Sequence, residues 1–182
     1  MYEQFKAKAE GVGAEVHRFG DREAALAFIL SFLREEGVAG DPHACAVWAD
    51  SPFLNGMDTK PLTDAGLRFD LDRDTAADAR IGITQAEWGL ADTGSLVQDQ
   101  TSVEQRLASS LTDIHIAIVP TGGILPDKTA LLTRIDPRTS RYIAFITGPS
   151  RTADIERVLT IGVHGPERLV VVCVDDMGGA TR

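Results

Sequence analysis

The run Thr147-Gly148-Pro149-Ser150-Arg151-Thr152-Ala153-Asp154 is the one best suited to chemistry. An apolar stretch precedes it and a helical pattern over 152–159 follows. That order places the run at the carboxyl end of a sheet, where open α/β sheets bind ligands. Backbone N–H groups at a helix start attract anions, and here Ser150 and Thr152 add donors and Arg151 a charge. The helix dipole is worth only about 0.3–1 kcal/mol, so Arg151 has to supply much of any affinity. The same residues also suit a plain turn, with Ser150 or Thr152 as N-cap and Arg151 solvated. No lysine follows the glycine, so this is not the phosphate loop of nucleotide-binding enzymes.

Two further groups qualify. In Ala91-Asp92-Thr93-Gly94-Ser95 a glycine between hydroxyl residues lets backbone approach a ligand, and Asp92 is a potential base or hydroxyl acceptor. A hairpin turn with Asp92 bonded to its own backbone explains the same residues. In Gly162-Val163-His164-Gly165-Pro166 a histidine between glycines precedes an apolar run, placing it on a loop where it titrates or meets an anion. Glycine and proline shaping a turn, with His164 incidental, is the alternative. His115 falls inside a strand pattern and reads as a core histidine, while His17 and His43 have no partners at useful spacing. The chain contains no Gly-x-Ser-x-Gly elbow and no Gly-x-Gly-x-x-Gly after a strand, which disfavours serine hydrolase and Rossmann dinucleotide sites. Arg134, Arg138 and Arg141 suit a solvated turn.

The elements that must position these groups follow from periodicity. Leu26, Ile29, Leu30 and Leu33 form one stripe of a helix over 21–36, with Asp21 at its start and Gly37 at its stop. Shorter helices are predicted over 3–10, 72–79, 127–134 and 152–159. Strands are predicted over 14–19, 44–49, 81–84 and 90–98, with a bend at Trp88-Gly89. The runs 114–119, 142–147 and 169–174 are nearly all apolar, as parallel strands covered on both faces require. Strands alternating with helices predict an α/β protein, a three-layer α/β/α sandwich around a mainly parallel sheet. Neither a repeat nor a linker divides the 182 residues, so one domain is expected, with 1–40 as an N-terminal helical part.

Composition narrows the function classes. Residues 1–100 hold nine basic and eighteen acidic side chains and residues 101–182 nine of each, which accounts for the net charge of −9. Nucleic acid is a poor partner for such a chain, because phosphate contacts need a basic face. The neutral second part is the better place for an anion site. Cys45 and Cys173 lie in separate apolar runs and read as buried thiols, so no metal or cluster site is expected. The N-terminus has no apolar core of a secretory signal and no run of eighteen apolar residues occurs, so a cytoplasmic protein without a membrane span is expected.

Read together, Gly82-Ile83-Thr84, Ala91 through Val97, His115 through Val119, Ile146 through Glu156 and Gly162 through Pro166 resemble the LutC/YkgG family of lactate-utilisation proteins, which carry a LUD domain. The likeness covers about residues 44–175, and the first forty match only loosely. That family often has Glu where Asp92 stands and Thr where Ser95 stands, swaps that keep the functional group and alter its reach. The resemblance implies the sugar-phosphate isomerase and coenzyme A transferase (NagB/RpiA/CoA transferase-like) fold group. It also implies a bacterial system oxidising L-lactate to pyruvate, in which partner subunits carry iron–sulfur clusters and this type of subunit binds no cofactor. On that expectation Asp92, Thr93, Gly94 and Ser95 join Gly148, Pro149, Ser150, Arg151, Thr152 and Asp154 in one sheet-edge pocket. There Arg151 holds a carboxylate or phosphate, with Asp92 and His164 beside it. A stand-alone enzyme on a phosphorylated or CoA-linked substrate and a ligand-binding assembly module remain alternatives.

Overall fold

The structure is a computed structural model and describes residues 1–38, 45–136, 138–153, 159–162 and 164–177. The chain opens with helix α1 (Tyr2–Gly11), strand β1 (Glu15–Phe19), helix α2 (Arg22–Glu35) and strand β2 (Ala46–Trp48). Short α3 (Lys60–Asp64), β3 (Leu67–Arg68) and α4 (Arg73–Asp78) lead to β4 (Ile81–Gln85), β5 (Trp88–Leu90) and β6 (Ser95–Asp99). Next come α5 (Val103–Ser110), β7 (Ile114–Pro120), β8 (Ile124–Leu125), α6 (Lys128–Leu132) and β9 (Ile143–Ile146). A hairpin of β10 (Arg151–Ala153) and β11 (Leu159–Ile161) precedes β12 (Arg168–Val174).

Six strands form a parallel sheet in the order β1-β12-β7-β4-β2-β3. Its central strands β7 and β12 are apolar at nearly every position, His115 and Arg168 apart, because both faces are covered. Ile114, Ile116 and Ile118 of β7, with Val170, Val172 and Val174 of β12, pack against α2 on one face. The alternate residues Ala117, Val119, Val171 and Cys173 meet α1 and the second sheet on the other. The two-residue period of a strand thus divides one apolar run between two cores. Both cysteines are buried and free, and burial pushes the Cys173 thiol up to about 12.

Helix α2 forms where the spacing predicts. The Asp21 carboxylate accepts from the Ala24 N–H at 2.7 Å, and Gly37 turns the chain at φ 73°. The buried stripe is Ala25, Ile29, Phe32 and Leu33, whereas Leu26 and Leu30 are only half-buried. Asp72 and Asp127 cap α4 and α6 in the same way.

Three expectations are corrected. The run 142–147 is not a parallel strand of the main sheet. Its β9 pairs antiparallel with β6 in a separate sheet of order β8-β5-β6-β9. Trp88-Gly89, expected as a bend, belongs to β5 of that sheet. The predicted helix over 152–159 is replaced at both ends by the β10–β11 hairpin, whose register pairs Arg151 with Ile161. Apolar runs of four to six residues satisfy a buried strand in either sheet, so periodicity alone cannot assign the sheet. The α/β class with a parallel sheet flanked by helices stands, and the small sheet shares the second face with α1.

Candidate functional site

Because β9 runs antiparallel to β6, its carboxyl end delivers Gly148-Pro149-Ser150 to the amino-terminal ends of β7 and β12. The Ser150 N–H donates to the Pro166 carbonyl at 2.8 Å, and the Ser150 carbonyl accepts from the Gly162 N–H at 3.1 Å. Two runs singled out from the sequence, 148–150 and 162–166, are thereby bound to each other. Between them and the end of α5 lies an open cleft of about 210 Å³. Gly148, Pro149, Ser150 and His164 line it together with Ser109, His115 and Leu169.

The third run joins through its serine. Thr147 Oγ1 and Ser95 Oγ are 2.7 Å apart, and Ser95 Oγ donates to Thr93 Oγ1 at 2.8 Å. One hydroxyl proton serves each bond, so the chain reads Thr147 to Ser95 to Thr93. Asp92 and Thr93 are exposed, the Asp92 N–H donates to the Pro126 carbonyl, and neither residue lines the cleft.

The motif glycines face helix α1. A Cβ on Gly94 would land against the Ala9 backbone nitrogen and 2.6 Å from the Lys8 carbonyl carbon. A Cβ on Gly148 would lie 2.5 Å from the Val12 carbonyl oxygen, and one on Gly89 3.0 Å from the Phe5 ring. Arg151 Nη2 donates to the Val12 carbonyl at 2.5 Å, a cation at the carboxyl end of α1, where the dipole favours it. Arg151 therefore clamps α1 and does not line the cleft. The backbone of Thr152 pairs with Thr160, and Asp154 lies outside the described residues.

Inside the cleft wall, His115 is buried and its Nε2 lies 2.7 Å from Thr84 Oγ1. Burial lowers its pKa to about 4, so the ring is neutral at physiological pH. It is a core histidine, as its strand position suggested, with one edge on the cleft. Ser109 Oγ donates to the Gln105 carbonyl and accepts from Gln100 Nε2, both at 2.8 Å. The wall thus presents neutral polar groups, with the exposed His164 at the rim. Among the described residues no group of three or more His, Cys, Asp or Glu side chains stands close enough to hold a metal. Among them, too, no helix is long and apolar enough to cross a membrane.

The LUD domain family matches residues 2–174, nearly the whole described chain and the whole of the parallel sheet. The chain belongs to the LUD domain family. This LUD domain is 39% identical over 111 residues to "Lactate utilization protein C" of Exiguobacterium, covering 58% of this chain and 48% of that protein. The Bacillus subtilis protein of the same name is 36% identical over 107 residues, covering 56% and 45%. The LUD domain here spans about half the length of the curated relatives it matches. A crystal structure of a DUF162 family protein from Deinococcus radiodurans shares its fold, with a TM-score of 0.63 over 95% of both chains at 20% identity.

Sequence reasoning missed three features of the LUD domain. Glu87 is half-buried beyond the end of β4, where it accepts from the Asp99 N–H at 2.7 Å. Burial, reinforced by the Asp99 charge, raises its pKa to about 7. Gln98 Nε2 donates to the Gln85 carbonyl and to Gln105 Oε1, tying β6 and α5 to β4. Helix α1 covers the motif turns. No sequence signal marks any of these, because each depends on segments distant along the chain.

Proposed function

We propose that this chain serves in a bacterial lactate-utilisation system as a subunit without clusters of its own, with iron–sulfur centres on partner subunits. Its part is to hold a small carboxylate or phosphate in the cleft between Ser150, His164 and the amino ends of β7 and β12. The observation that carries this reading is the matched stretch of 107–111 residues shared with proteins named for lactate utilisation. The convergence of runs 148–150 and 162–166 on one cleft supports it. In this reading the redox step belongs to the cluster-bearing partners.

The test is an anaerobic pull-down of the tagged chain from its source bacterium grown on L-lactate. Iron and lactate-dependent dye reduction are expected in the bound fraction. Recovery of the chain alone, while the cells consume lactate, would overturn the reading. For the cleft itself, Ser150→Ala is expected to weaken binding of the anion about tenfold, read by calorimetry, since a hydroxyl donor to an anion is lost. Unchanged affinity for lactate, pyruvate and phosphate alike would remove the cleft from the mechanism.

A further inference from the structure

A second opening lies at the opposite end of the sheet. Strand β2 leads outward to β3, whereas β4 leads the other way to β7, so the strand order reverses between β2 and β4. The connections diverge accordingly. Helix α3 packs Leu62 into the core on the α2 face, and α5 packs Ala108 against the other side of β2. Such a reversal leaves a crevice outside the carboxyl ends of the strands. Beside it is an opening of about 310 Å³ lined by Arg22, Pro52, Phe53, Gln85, Asp176 and Met177. These residues follow or end β1, β2, β4 and β12, so four strands deliver the lining.

Two of its polar side chains are already oriented. Arg22 Nη1 donates to the carbonyls of Phe53 at 3.1 Å and Asn55 at 3.0 Å. Both bonds use one terminal nitrogen, and the Nη2–Nε edge of the fork remains for a carboxylate. The Phe53 N–H donates to Gln85 Oε1 at 2.9 Å. A backbone N–H demands an acceptor, so this bond fixes the amide with its NH2 end presented. Arg22 and Gln85 therefore offer only donors, while Asp176 at the exposed rim offers only acceptors. Phe53 itself is buried, its ring 5.7 Å from that of Trp48, which holds the Pro52–Leu54 turn in place. Arg22 is also the first residue of the fourteen-residue helix α2, whose amino end is already capped by the Asp21 carboxylate, so the attraction for an anion here comes from the guanidinium itself.

We propose that this carboxyl-edge crevice binds a small carboxylate bearing a hydroxyl on the adjacent carbon. Arg22 and Gln85 take the carboxylate, Asp176 accepts from the hydroxyl, and Met177 and Pro52 cover the carbon end. The opening of about 310 Å³ admits a ligand of that size with room to spare, so selection falls to the polar groups. An acceptor opposite two donors separates a hydroxy acid from a plain fatty acid, because a site built to bond a hydroxyl leaves its partner unpaired when the hydroxyl is missing. The inference deepens the lactate reading, on which it rests for its probe, and places the hydroxy acid at the edge opposite the Ser150 cleft.

The experiment is amide chemical-shift mapping on the full, isotopically labelled chain, titrated with L-lactate and with propionate. Saturable shifts are expected at Phe53, Asn55 and Gln85, with propionate at least about tenfold weaker. Arg22→Gln is expected to abolish saturation. Arg22 also anchors the 53–55 turn, so Asp176→Ala at the exposed rim gives an independent arm, in which the acceptor is gone and L-lactate loses its advantage over propionate. Equal affinity for both acids in the unsubstituted chain overturns the proposal. So do shifts confined to the Ser150 and Gly165 region, or an unaltered preference in Asp176→Ala. Loss of the crevice together with recovery of iron-containing partners in the pull-down removes this inference alone. Crevice binding without such partners removes the subunit reading instead.

Discussion

Glu87→Gln is expected to leave stability unchanged at pH 4 and to raise it at pH 8 by about 3 kcal/mol. The folded pKa of Glu87 is about 7 against a reference of 4.5. Between those values the folded chain holds a proton that the unfolded chain has released. Stability from this group is therefore fully present below about pH 4.5 and falls as pH rises through 7. A pKa difference of one between the folded and unfolded chain corresponds to about 1.4 kcal/mol, which sets the magnitude. Glutamine is neutral throughout, and its side-chain oxygen still accepts from the Asp99 N–H. For a domain of this size the gain at pH 8 amounts to roughly 6–12 °C in Tm.

His115 acts with the opposite sign over nearly the same range. Its folded pKa is about 4 against 6.5, so the unfolded chain takes up a proton first as pH falls. Its contribution is present above about pH 6.5 and is lost toward pH 4. In the native chain the two slopes oppose each other between about pH 4.5 and 6.5. Removing the Glu87 titration exposes the histidine slope, so Glu87→Gln loses about 3 kcal/mol from pH 6.5 to 4. Urea unfolding of both chains at four pH values reads the difference. Parallel stability curves would show that Glu87 ionises normally in the fold.

Gly94→Ala is expected to detach α1 and cost about 3 kcal/mol. Gly94 sits at φ 70°, where a side chain is strained by about 1–2 kcal/mol. The added Cβ also meets α1 backbone at Lys8 and Ala9, and backbone does not yield as a flexible side chain would. Overpacking of that kind adds about 1–3 kcal/mol. Hydrogen exchange is expected to accelerate at Phe5 and Ala9, the two residues α1 buries. Deleting residues 1–11 is expected to cost less in the Gly94→Ala chain than in the unsubstituted one, because the docking energy is already gone. Retained protection at Phe5 would mean that this glycine does not serve the helix.

That result bears on how the motifs are read. Gly94 and Gly148 stand among hydroxyl residues and suit close approach of a ligand, and close approach does occur there. What approaches is the protein's own N-terminal helix. Arg151 follows the same course, since the charge expected to hold an anion caps α1 through the Val12 carbonyl. A sequence motif records that backbone must come near, and the tertiary contact determines whose backbone it is.

The sequence by itself determined the α/β class, the capped helix over 21–36, the apolar runs of β7 and β12, and the buried state of His115 and both cysteines. Each follows from local periodicity, capping chemistry or the cost of exposing apolar surface, which are properties of neighbouring residues. Only the tertiary structure decided the rest. A run such as 143–146 satisfies either sheet, and its antiparallel pairing with β6 moved the Gly148–Ser150 turn from the carboxyl to the amino end of the main strands. Glu87, the Gln85–Phe53–Arg22 arrangement and the seat of α1 join residues ten to more than a hundred positions apart. Local propensity carries no information about such partners, because their energies arise only once the fold has excluded water around them.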